Sequence, residues 1–210
     1  MNPLLIYLKP KDGLNEVEKE LKKIPCDRLT LKYFRYPNVY RIAHKTITNH
    51  PEYDYIIWLQ NDIILKREDY FKLCEGIKET GGAILGASMN VDLSPKGLNL
   101  CAYSKKEFYS PGSYKYAKNE PPYVPKGEDK GIIKVFHNGG VFIAERDLLV
   151  QHPLRGMGKS GFNADILHGW ELRNNGINYY LDTRIHLKHL RYQGDMMVGK
   201  KPPEVEIVRY

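Results

Sequence analysis

The segment around Asp62 is the part of the sequence whose residue types and spacing point most directly to chemistry. It sets the polar triplet Gln60-Asn61-Asp62 between two apolar stretches, residues 55–59 and 63–65. An aspartate at the carboxyl end of a parallel strand reaches the sheet edge where α/β proteins bind ligands. There it can hold a divalent cation that also touches phosphate oxygens, because hard cations prefer oxygen ligands. A plain Asn-Asp turn is the alternative that these residues leave open.

A second group of candidate residues lies between positions 165 and 189. Asp165 opens a helical pattern, and the positive end of a helix dipole favours an ionised carboxylate there. Such a carboxylate can accept the proton of an attacking hydroxyl, or it can simply stabilise the helix. His186 and His189 carry imidazoles suited to metal ligation, although nearby histidines in a basic protein are commonly surface or packing residues.

Strands and helices alternate in the pattern of the first 88 residues. The apolar runs predict strands at residues 4–8, 28–34, 55–60 and 83–87. Three helices are predicted between them, the first two capped by Asn15 and Asn38 and the third beginning at Arg67. This βαβαβαβ order predicts an α/β fold with a mostly parallel central sheet flanked by helices, because right-handed crossovers place helices on the sheet faces.

The pattern changes in the second half of the chain. Between residues 90 and 130 the periodicity fades into Pro, Gly, Lys and Tyr, which predicts an irregular insertion that is either a binding lid or a plain surface excursion. Residues 191–210 are predicted to be a tail that folds back or stays mobile. The elements predicted between these segments are strands at 132–136, 141–144 and 178–181, and a helix at 165–174 that Gly176 closes.

Length, charge and cysteine content bound the class of protein. The 210 residues predict one soluble domain, and no apolar run approaches the roughly 20 residues of a membrane-spanning helix. Three widely spaced cysteines without a CxxC pair favour a reducing cytoplasm. The net charge of +7 permits phosphorylated small molecules, an anionic membrane surface or nucleic acid as partners. The glycine-rich signatures of dinucleotide and P-loop sites are missing near the first strand.

Several landmarks stand in register with the Asp62 triplet. Arg41-Ile-Ala-His-Lys45 lies on the second helix, and Asn138-Gly139-Gly140 precedes a later strand. Gly176 stands eleven residues after Asp165, and His189 stands thirteen residues after Gly176. In this order and spacing, most of the chain resembles the nucleotide-sugar-dependent glycosyltransferases of the GT-A fold, particularly the inverting family 2.

The resemblance implies a fold, a reaction and a set of site residues. It implies the GT-A fold with a small second sheet, a nucleotide-binding half at 1–88 and an acceptor and catalytic half at 89–190. It implies transfer of a sugar from a nucleotide-diphosphate donor to an acceptor hydroxyl with inversion, Asp165 serving as the catalytic base. Asp62 and His189 would hold Mn²⁺ or Mg²⁺. The donor-binding residues would be Arg41, Lys45, Gln60, Asn61, Asp62, Asn138, Gly139 and Gly140.

Two positions depart from the family pattern, and they keep other functions open. Gln60 stands where the family has the first Asp of Asp-x-Asp, and Ala164 stands where it has a Glu. These changes favour a degenerate member that binds nucleotide or glycan without turnover. A sugar-phosphate nucleotidyltransferase is the other alternative, although residues 8–13 offer only one glycine for its usual phosphate loop.

The expected partners follow from the same resemblance. The donor is a nucleotide-diphosphate sugar, and the acceptor is a glycan, a lipid or a protein. Nucleic acid is disfavoured as a partner. The expected location is the cytoplasm, with peripheral contact to a membrane as a further option.

Overall fold

The computed structural model describes residues 1–10, 13–32, 36–90, 101–102, 131–135, 137–138, 140–155, 164–190 and 204–210. Within these residues the chain forms a nine-stranded mixed sheet flanked by helices and a separate two-stranded sheet. The α/β class is therefore confirmed. In the same described part of the chain, no helix has the length and apolar character that crossing a membrane requires.

The first half of the chain alternates strands and helices as the sequence predicts. The elements are β1 Pro3–Lys9, α1 Asn15–Leu21, β2 Asp27–Lys32, α2 Tyr36–Asn49, β3 Tyr55–Leu59, β4 Ile63–Ile64, α3 Arg67–Glu79 and β5 Ile84–Asn90. The order βαβαβαβ is confirmed except that the sequence pattern misses the two-residue strand β4. This strand pairs with the end of a distant strand rather than with its neighbours in sequence.

The second half completes both sheets. Its elements are β6 Cys101–Ala102, β7 Ile132–Val135, β8 His137–Asn138, β9 Val141–Glu145, α4 Arg146–Gln151, α5 Ala164–Asn174, β10 Tyr179–His189 and β11 Glu204–Val208. The strands predicted at 132–136 and 141–144 and the helix predicted at 165–174 are confirmed. The prediction that the last strand ends at Leu181 is wrong, since β10 continues to His189. The predicted insertion lies outside the described residues, apart from Asn90 and the short strand β6.

In the main sheet one antiparallel strand, β9, lies among the predicted parallel strands. The main sheet runs β11-β2-β1-β3-β9-β5-β10-β4, with β7 also paired to β10. Within the described residues β1, β2, β3, β5 and β10 point the same way, because β9 is antiparallel to both of its neighbours. Their carboxyl ends therefore meet at one edge of the sheet, which we call the carboxyl edge.

Two hydrophobic layers cover the two faces of this sheet. Leu5 and Tyr7 of β1 pack with residues of α1 and α3 on one face. Leu4, Ile6 and Leu8 pack with residues of α2, α4 and α5 on the other. Successive strand residues point to opposite faces, so a strand covered on both sides is apolar at every position. This explains why the run at residues 4–8 is continuous rather than alternating.

Helix ends depart from the sequence prediction in one respect. Capping of the first helix by Asn15 is wrong, because Asn15 is already helical and Leu14 precedes it in an extended conformation with no side-chain cap bond. The carboxylate of Glu18 instead meets Lys9 Nζ at 2.8 Å. Asn38 likewise falls inside α2, which begins at Tyr36. Closure of α5 by Gly176 is confirmed, since its φ of 72° is the left-handed conformation that favours glycine.

The end of the tail folds back on the sheet through Asp27. Strand β11 lies antiparallel to β2, and the residues that follow it reach the start of β2. The Asp27 carboxylate accepts hydrogen bonds from Tyr53 Oη, Arg209 Nη1 and the Tyr210 amide, each at 2.8 Å. Burial alone would raise the pKa of Asp27, but these donors outweigh it and hold the pKa below its ordinary value.

We expect Asp27→Asn to lower the free energy of unfolding by about 1–2 kcal/mol at pH 7. A carboxyl whose pKa is depressed in the folded protein contributes its full stabilisation above its unfolded pKa of about 3.9 and loses it as the pH falls further. The difference between wild type and variant should therefore shrink below about pH 4. Urea unfolding at pH 7 and pH 3 measures this difference in unfolding free energy. The control is Asp147→Asn, a change at an exposed residue. An equal difference at both pH values would contradict the assignment.

Candidate functional site

The triplet predicted from the sequence lies at the carboxyl edge of the sheet. It follows β3 directly, and Asn61 and Asp62 are only 1% and 5% exposed. The turn is closed by the Ile63 amide, which donates to the Gln60 carbonyl at 3.4 Å. The predicted position of Asp62 at the end of a parallel strand is confirmed. A buried carboxylate at this edge is unusual for a surface turn, because ionised groups are buried only with partners.

Asp62 faces His189 across the carboxyl edge. The Nε2 atom of His189 is 3.5 Å from Asp62 Oδ1, and the two side chains are 15% and 7% exposed. The main chain supports the same pairing, since the Leu190 amide donates to the Asp62 carbonyl at 2.7 Å. Two residues separated by most of the chain are thus brought into contact.

Strand β4 explains how this contact arises. After Asp62 the chain enters β4, whose Ile63 and Ile64 lie opposite His189 and Lys188 of β10. The antiparallel pairing sets the end of β10 beside the residue that precedes β4. His186, the other histidine considered for metal binding, is exposed on β10, outside the Asp62–His189 pair.

The glycine segment before β9 adjoins the triplet. Gly140 has φ of 93°, and its carbonyl accepts the Gln60 amide at 2.8 Å. Asn138 lies in β8, where only its backbone is described, and it pairs with Cys101 of the small sheet. Gly139 lies outside the described residues. The left-handed conformation accounts for a glycine at position 140, because most other residues are strained there.

Asp165 lies in the first turn of α5, with only its backbone described. Helix α5 packs against β8, the strand that leads to Gly140. The helix that carries Asp165 therefore adjoins the segment that contacts the triplet. The role of Asp165 as a base stays a prediction.

Arg41 and Lys45 are exposed on α2. Helix α2 follows β2, so it begins at the carboxyl edge and runs away from it. Arg41 lies on its sixth residue and Lys45 one turn further along. Their predicted contact with phosphate stays a prediction, and Arg41 lies nearer to the carboxyl edge of the two.

The Asp62–His189 pair provides two ligands of types that divalent metal ions accept. Ligand atoms about 2.1 Å from one ion can stand up to about 4.2 Å apart, so the separation between Asp62 and His189 allows both to touch the same ion. No third His, Cys, Asp or Glu joins them within the described residues. A bound ion would take its other ligands from water or phosphate oxygens, as Mg²⁺ commonly does.

Comparison with known proteins finds similarity to solved structures and none to known sequences. No protein-family model and no curated sequence matches the chain. The crystal structure of A197 from STIV is similar, with a TM-score of 0.62 and 16% identity over 96% of this chain and 99% of that one. At this identity the similarity establishes the fold alone. The structure of CMP:2-keto-3-deoxy-manno-octonic acid synthetase in complex with CTP aligns with a TM-score of 0.48 and 13% identity over 93% of each chain. That score is too low to establish a shared fold.

Tyr7 is a polar residue near the pair that sequence reasoning misses. Its side chain is 1% exposed, and the phenol oxygen has no hydrogen-bond partner among the described residues. Burial, together with the negative charges of Glu18 and Asp62, raises the pKa of Tyr7 above its ordinary value. Within a continuous apolar strand, a tyrosine is indistinguishable from an ordinary core residue, so the sequence carries no signal of this placement.

Two lysines at the carboxyl edge are also missed. Lys9 and Lys32 end the adjacent parallel strands β1 and β2 and lie opposite each other in register. Lys9 pairs with Glu18 at 2.8 Å, and Lys32 pairs with Glu206 at 2.9 Å. Lys9 directly follows the strand predicted at 4–8, which is a signal that could have singled it out, whereas Lys32 lies inside the strand predicted at 28–34.

Proposed function

We propose that the protein is a divalent-metal-dependent glycosyltransferase of the GT-A fold that uses a nucleotide-diphosphate sugar. The observation that carries the proposal is the contact between the buried Asp62 and the partly buried His189 at the carboxyl edge. Open α/β sheets bind ligands at this edge. A carboxylate and an imidazole held together there fit an Mn²⁺ or Mg²⁺ ion that also binds a diphosphate.

The residues take roles that follow from the charges in the reaction. Asp165 removes the proton of the acceptor hydroxyl, whose oxygen attacks the anomeric carbon of the sugar. The bond from that carbon to the diphosphate breaks, and the nucleoside diphosphate leaves with the electron pair. Asp62 and His189 would hold a divalent cation, which when bound would neutralise this leaving charge as a Lewis acid. In-line attack inverts the anomeric centre and needs no covalent intermediate.

The remaining candidate residues position the donor. Gln60 and Asn61 are assigned to the nucleotide portion beside Asp62, and Asn138, Gly139 and Gly140 are assigned to the donor sugar. The contact between the Gly140 carbonyl and the Gln60 amide supports placing the triplet and the glycine segment beside the same ligand. Arg41 and Lys45 stabilise phosphate charge from α2.

Nucleotidyl transfer is the alternative function for a protein with this kind of α/β sheet. It joins a nucleoside triphosphate to a sugar phosphate and releases diphosphate. The single glycine between β1 and α1, Gly13, argues against it, because a glycine-rich loop commonly holds the triphosphate there. Release of diphosphate from a nucleoside triphosphate and a sugar phosphate would favour this alternative over ours.

A thermal-shift screen tests the ligand class. UDP, GDP, CDP and dTDP are each added with and without Mn²⁺, and Mn²⁺ alone is the control. We expect one diphosphate with Mn²⁺ to raise the melting temperature by about 5–10 °C at a hundred times its dissociation constant, because binding stabilises the native state.

The pattern of shifts separates the hypotheses. Stabilisation that requires both nucleotide and Mn²⁺ supports the proposal. Equal stabilisation without metal, combined with no turnover of any donor, would favour a binding protein without catalysis. A flat response to all four nucleotides would contradict the proposed function.

A further inference from the structure

Strand β10 changes register just before it reaches the Asp62–His189 pair. Asp182 lies opposite Ala87 of β5, but the next residue of β5, Ser88, lies opposite His186. Residues 183–185 of β10 therefore form a three-residue insertion that has no opposing residues on β5. With continuous pairing His189 would lie three residues, or about 10 Å, further along the strand direction. An odd insertion also exchanges the two faces of the following residues.

The carboxylate of Asp182 holds this bulge closed. Asp182 is fully buried, and its Oδ1 accepts the Arg184 amide at 3.0 Å and Arg184 Nε at 2.8 Å. Its Oδ2 accepts Arg184 Nη2 at 2.7 Å. Both carboxylate oxygens are thus bound by one residue two positions away. The main-chain bond is the geometry by which Asp stabilises a turn, and the paired side-chain bonds add a strong fork-like contact.

Neighbouring elements hold the same bulge from both sides. The Gly131 carbonyl accepts the Thr183 amide at 3.0 Å and Thr183 Oγ1 at 2.8 Å. On the other side, Arg184 Nη2 also lies 3.4 Å from Glu79 Oε1 at the end of α3. The bulge is therefore a fixed part of the fold.

Gly76 lets α3 pack closely against this part of the sheet. A Cβ at position 76 would stand 2.7 Å from Leu85 Cδ2 and 3.1 Å from Asp182 Oδ2. A side chain there would have to displace the Leu85 methyl group and would crowd the Asp182 carboxylate, because real Cβ atoms essentially never make contacts under 3.0 Å. The close packing keeps water away from the carboxylate, which strengthens its bonds to Arg184.

The pairing of β10 beyond the bulge follows the register that the bulge sets. Residues 186–188 pair with residues 88–90 of β5, Ile63 and Ile64 of β4 pair with His189 and Lys188, and the Leu190 amide adds one bond to Asp62. A two-residue strand supplies few hydrogen bonds and depends on its neighbours for stability. The bulge therefore determines which residues of β10 lie opposite the end of β5 and opposite β4.

We propose that Arg184 and Asp182 are positioning residues, which fix the β10 bulge and thereby set His189 opposite Asp62. The consequence for sugar transfer rests on the proposed function, whereas the positioning itself does not. Arg184 reaches neither Asp62 nor His189 in the structure and acts only through the path of β10.

Arg184→Gln tests the proposal, with Arg209→Gln as the matched control. Both changes break an Arg–Asp pair, but Arg209 binds Asp27 beside β11 at the opposite side of the sheet. The first readout is the ring-nitrogen NMR signals of His189 at fixed pH, assigned with His189→Gln. The second is hydrogen exchange of the Leu190 amide. Both are measured without metal or nucleotide, so neither depends on catalysis.

We expect the His189 signals of Arg184→Gln to shift toward their positions in Asp62→Asn. Exchange of the Leu190 amide should rise by about five- to tenfold, as expected for a weakened local hydrogen bond. Arg209→Gln should leave both readouts at their wild-type values. Arg184→Lys should keep both readouts closer to their wild-type values than Arg184→Gln does. An ammonium can bind one carboxylate oxygen but cannot form the two-pronged contact.

A second variant separates loss of positioning from loss of folding. Arg184→Gln leaves a buried carboxylate without its counterion, which alone can destabilise a protein. The double variant Asp182→Asn with Arg184→Gln removes both charges and should show the same His189 and Leu190 changes. Wild-type readouts in the folded single and double variants would overturn the proposal.

Metal binding separates this inference from the proposed function. If wild-type protein binds Mn²⁺ together with a nucleoside diphosphate, Arg184→Gln should weaken that binding and Arg209→Gln should not. If the wild type binds neither, the proposed function fails, and the NMR and exchange results still decide whether Arg184 positions His189.

Discussion

Asp62→Asn is expected to lower kcat/KM for sugar transfer by about 10²–10³-fold, the effect of losing one main electrostatic contact to the developing charge. Asparagine keeps the shape of the side chain and one oxygen ligand but removes the negative charge that faces His189. The divalent ion is then held less tightly, and the charge on the departing diphosphate is less well neutralised. The loss should therefore appear in the Mn²⁺ dependence of the rate.

Steady-state kinetics over a range of Mn²⁺ concentrations measures this effect. The variant should need more Mn²⁺ than the wild type to reach half of its maximal rate, and high Mn²⁺ should recover part of the loss. His189→Gln should change the Mn²⁺ dependence in the same direction, because it removes the second ligand. Asp27→Asn is the matched control, since Asp27 begins β2 at the opposite end from the carboxyl edge. Unchanged kinetics in Asp62→Asn would remove Asp62 from the mechanism.

Those parts of the fold that depend on local pattern could be predicted from the sequence. The alternation from β1 to β5 was predictable because the strands carry apolar runs or alternating apolar residues and the helices have apolar stripes. The edge at which Asp62 lies follows from the same pattern, since crossover connections fix the direction of parallel strands. Burial of Trp58, 6% exposed within β3, was predictable for the same reason.

The course of β10 could not be predicted because it depends on a contact that apolar patterning does not show. Asp182-Thr183-Arg184 interrupts the apolar pattern, so the pattern predicts a strand that ends at Leu181. In the fold, Asp182 is buried because Arg184 satisfies both of its oxygens. Alternation resumes at Ile185 and Leu187, but a pattern of two apolar residues after a polar break is too short to be distinguished from a loop.

The contact between Asp62 and His189 was foreseen only by the family resemblance. Residue types alone left His189 as one of several histidines, since no local pattern links it to a triplet 127 residues earlier. The contact depends on β4, whose two residues are too few for periodicity to detect. The resemblance therefore pointed to the two residues, while the pairing of β4 with β10 supplied the physical reason for their contact.

Asp165→Asn is expected to lower kcat for transfer by about 10²–10⁴-fold, the usual contribution of a positioned general base. Asparagine cannot accept the hydroxyl proton, so the acceptor must attack without that assistance. The KM for the donor and the Mn²⁺ dependence should stay near their wild-type values, because the donor and cation are bound by other residues. Glu171→Gln is the control, since it makes the same change in charge further along α5.

A nucleophile that carries no proton separates catalysis by Asp165 from stabilisation of its helix. Azide needs no base, so its glycosylation by the variant should approach the wild-type rate while transfer to hydroxyl acceptors remains slow. A purely structural Asp165 would behave differently: its loss would cost about 0.3–1 kcal/mol of helix-dipole stabilisation and would slow both nucleophiles alike. Equal slowing of azide and hydroxyl acceptors, or wild-type kcat with a hydroxyl acceptor, would therefore assign the base to another residue. Selective rescue by azide would assign it to Asp165, because only the proton-transfer step distinguishes the two reactions.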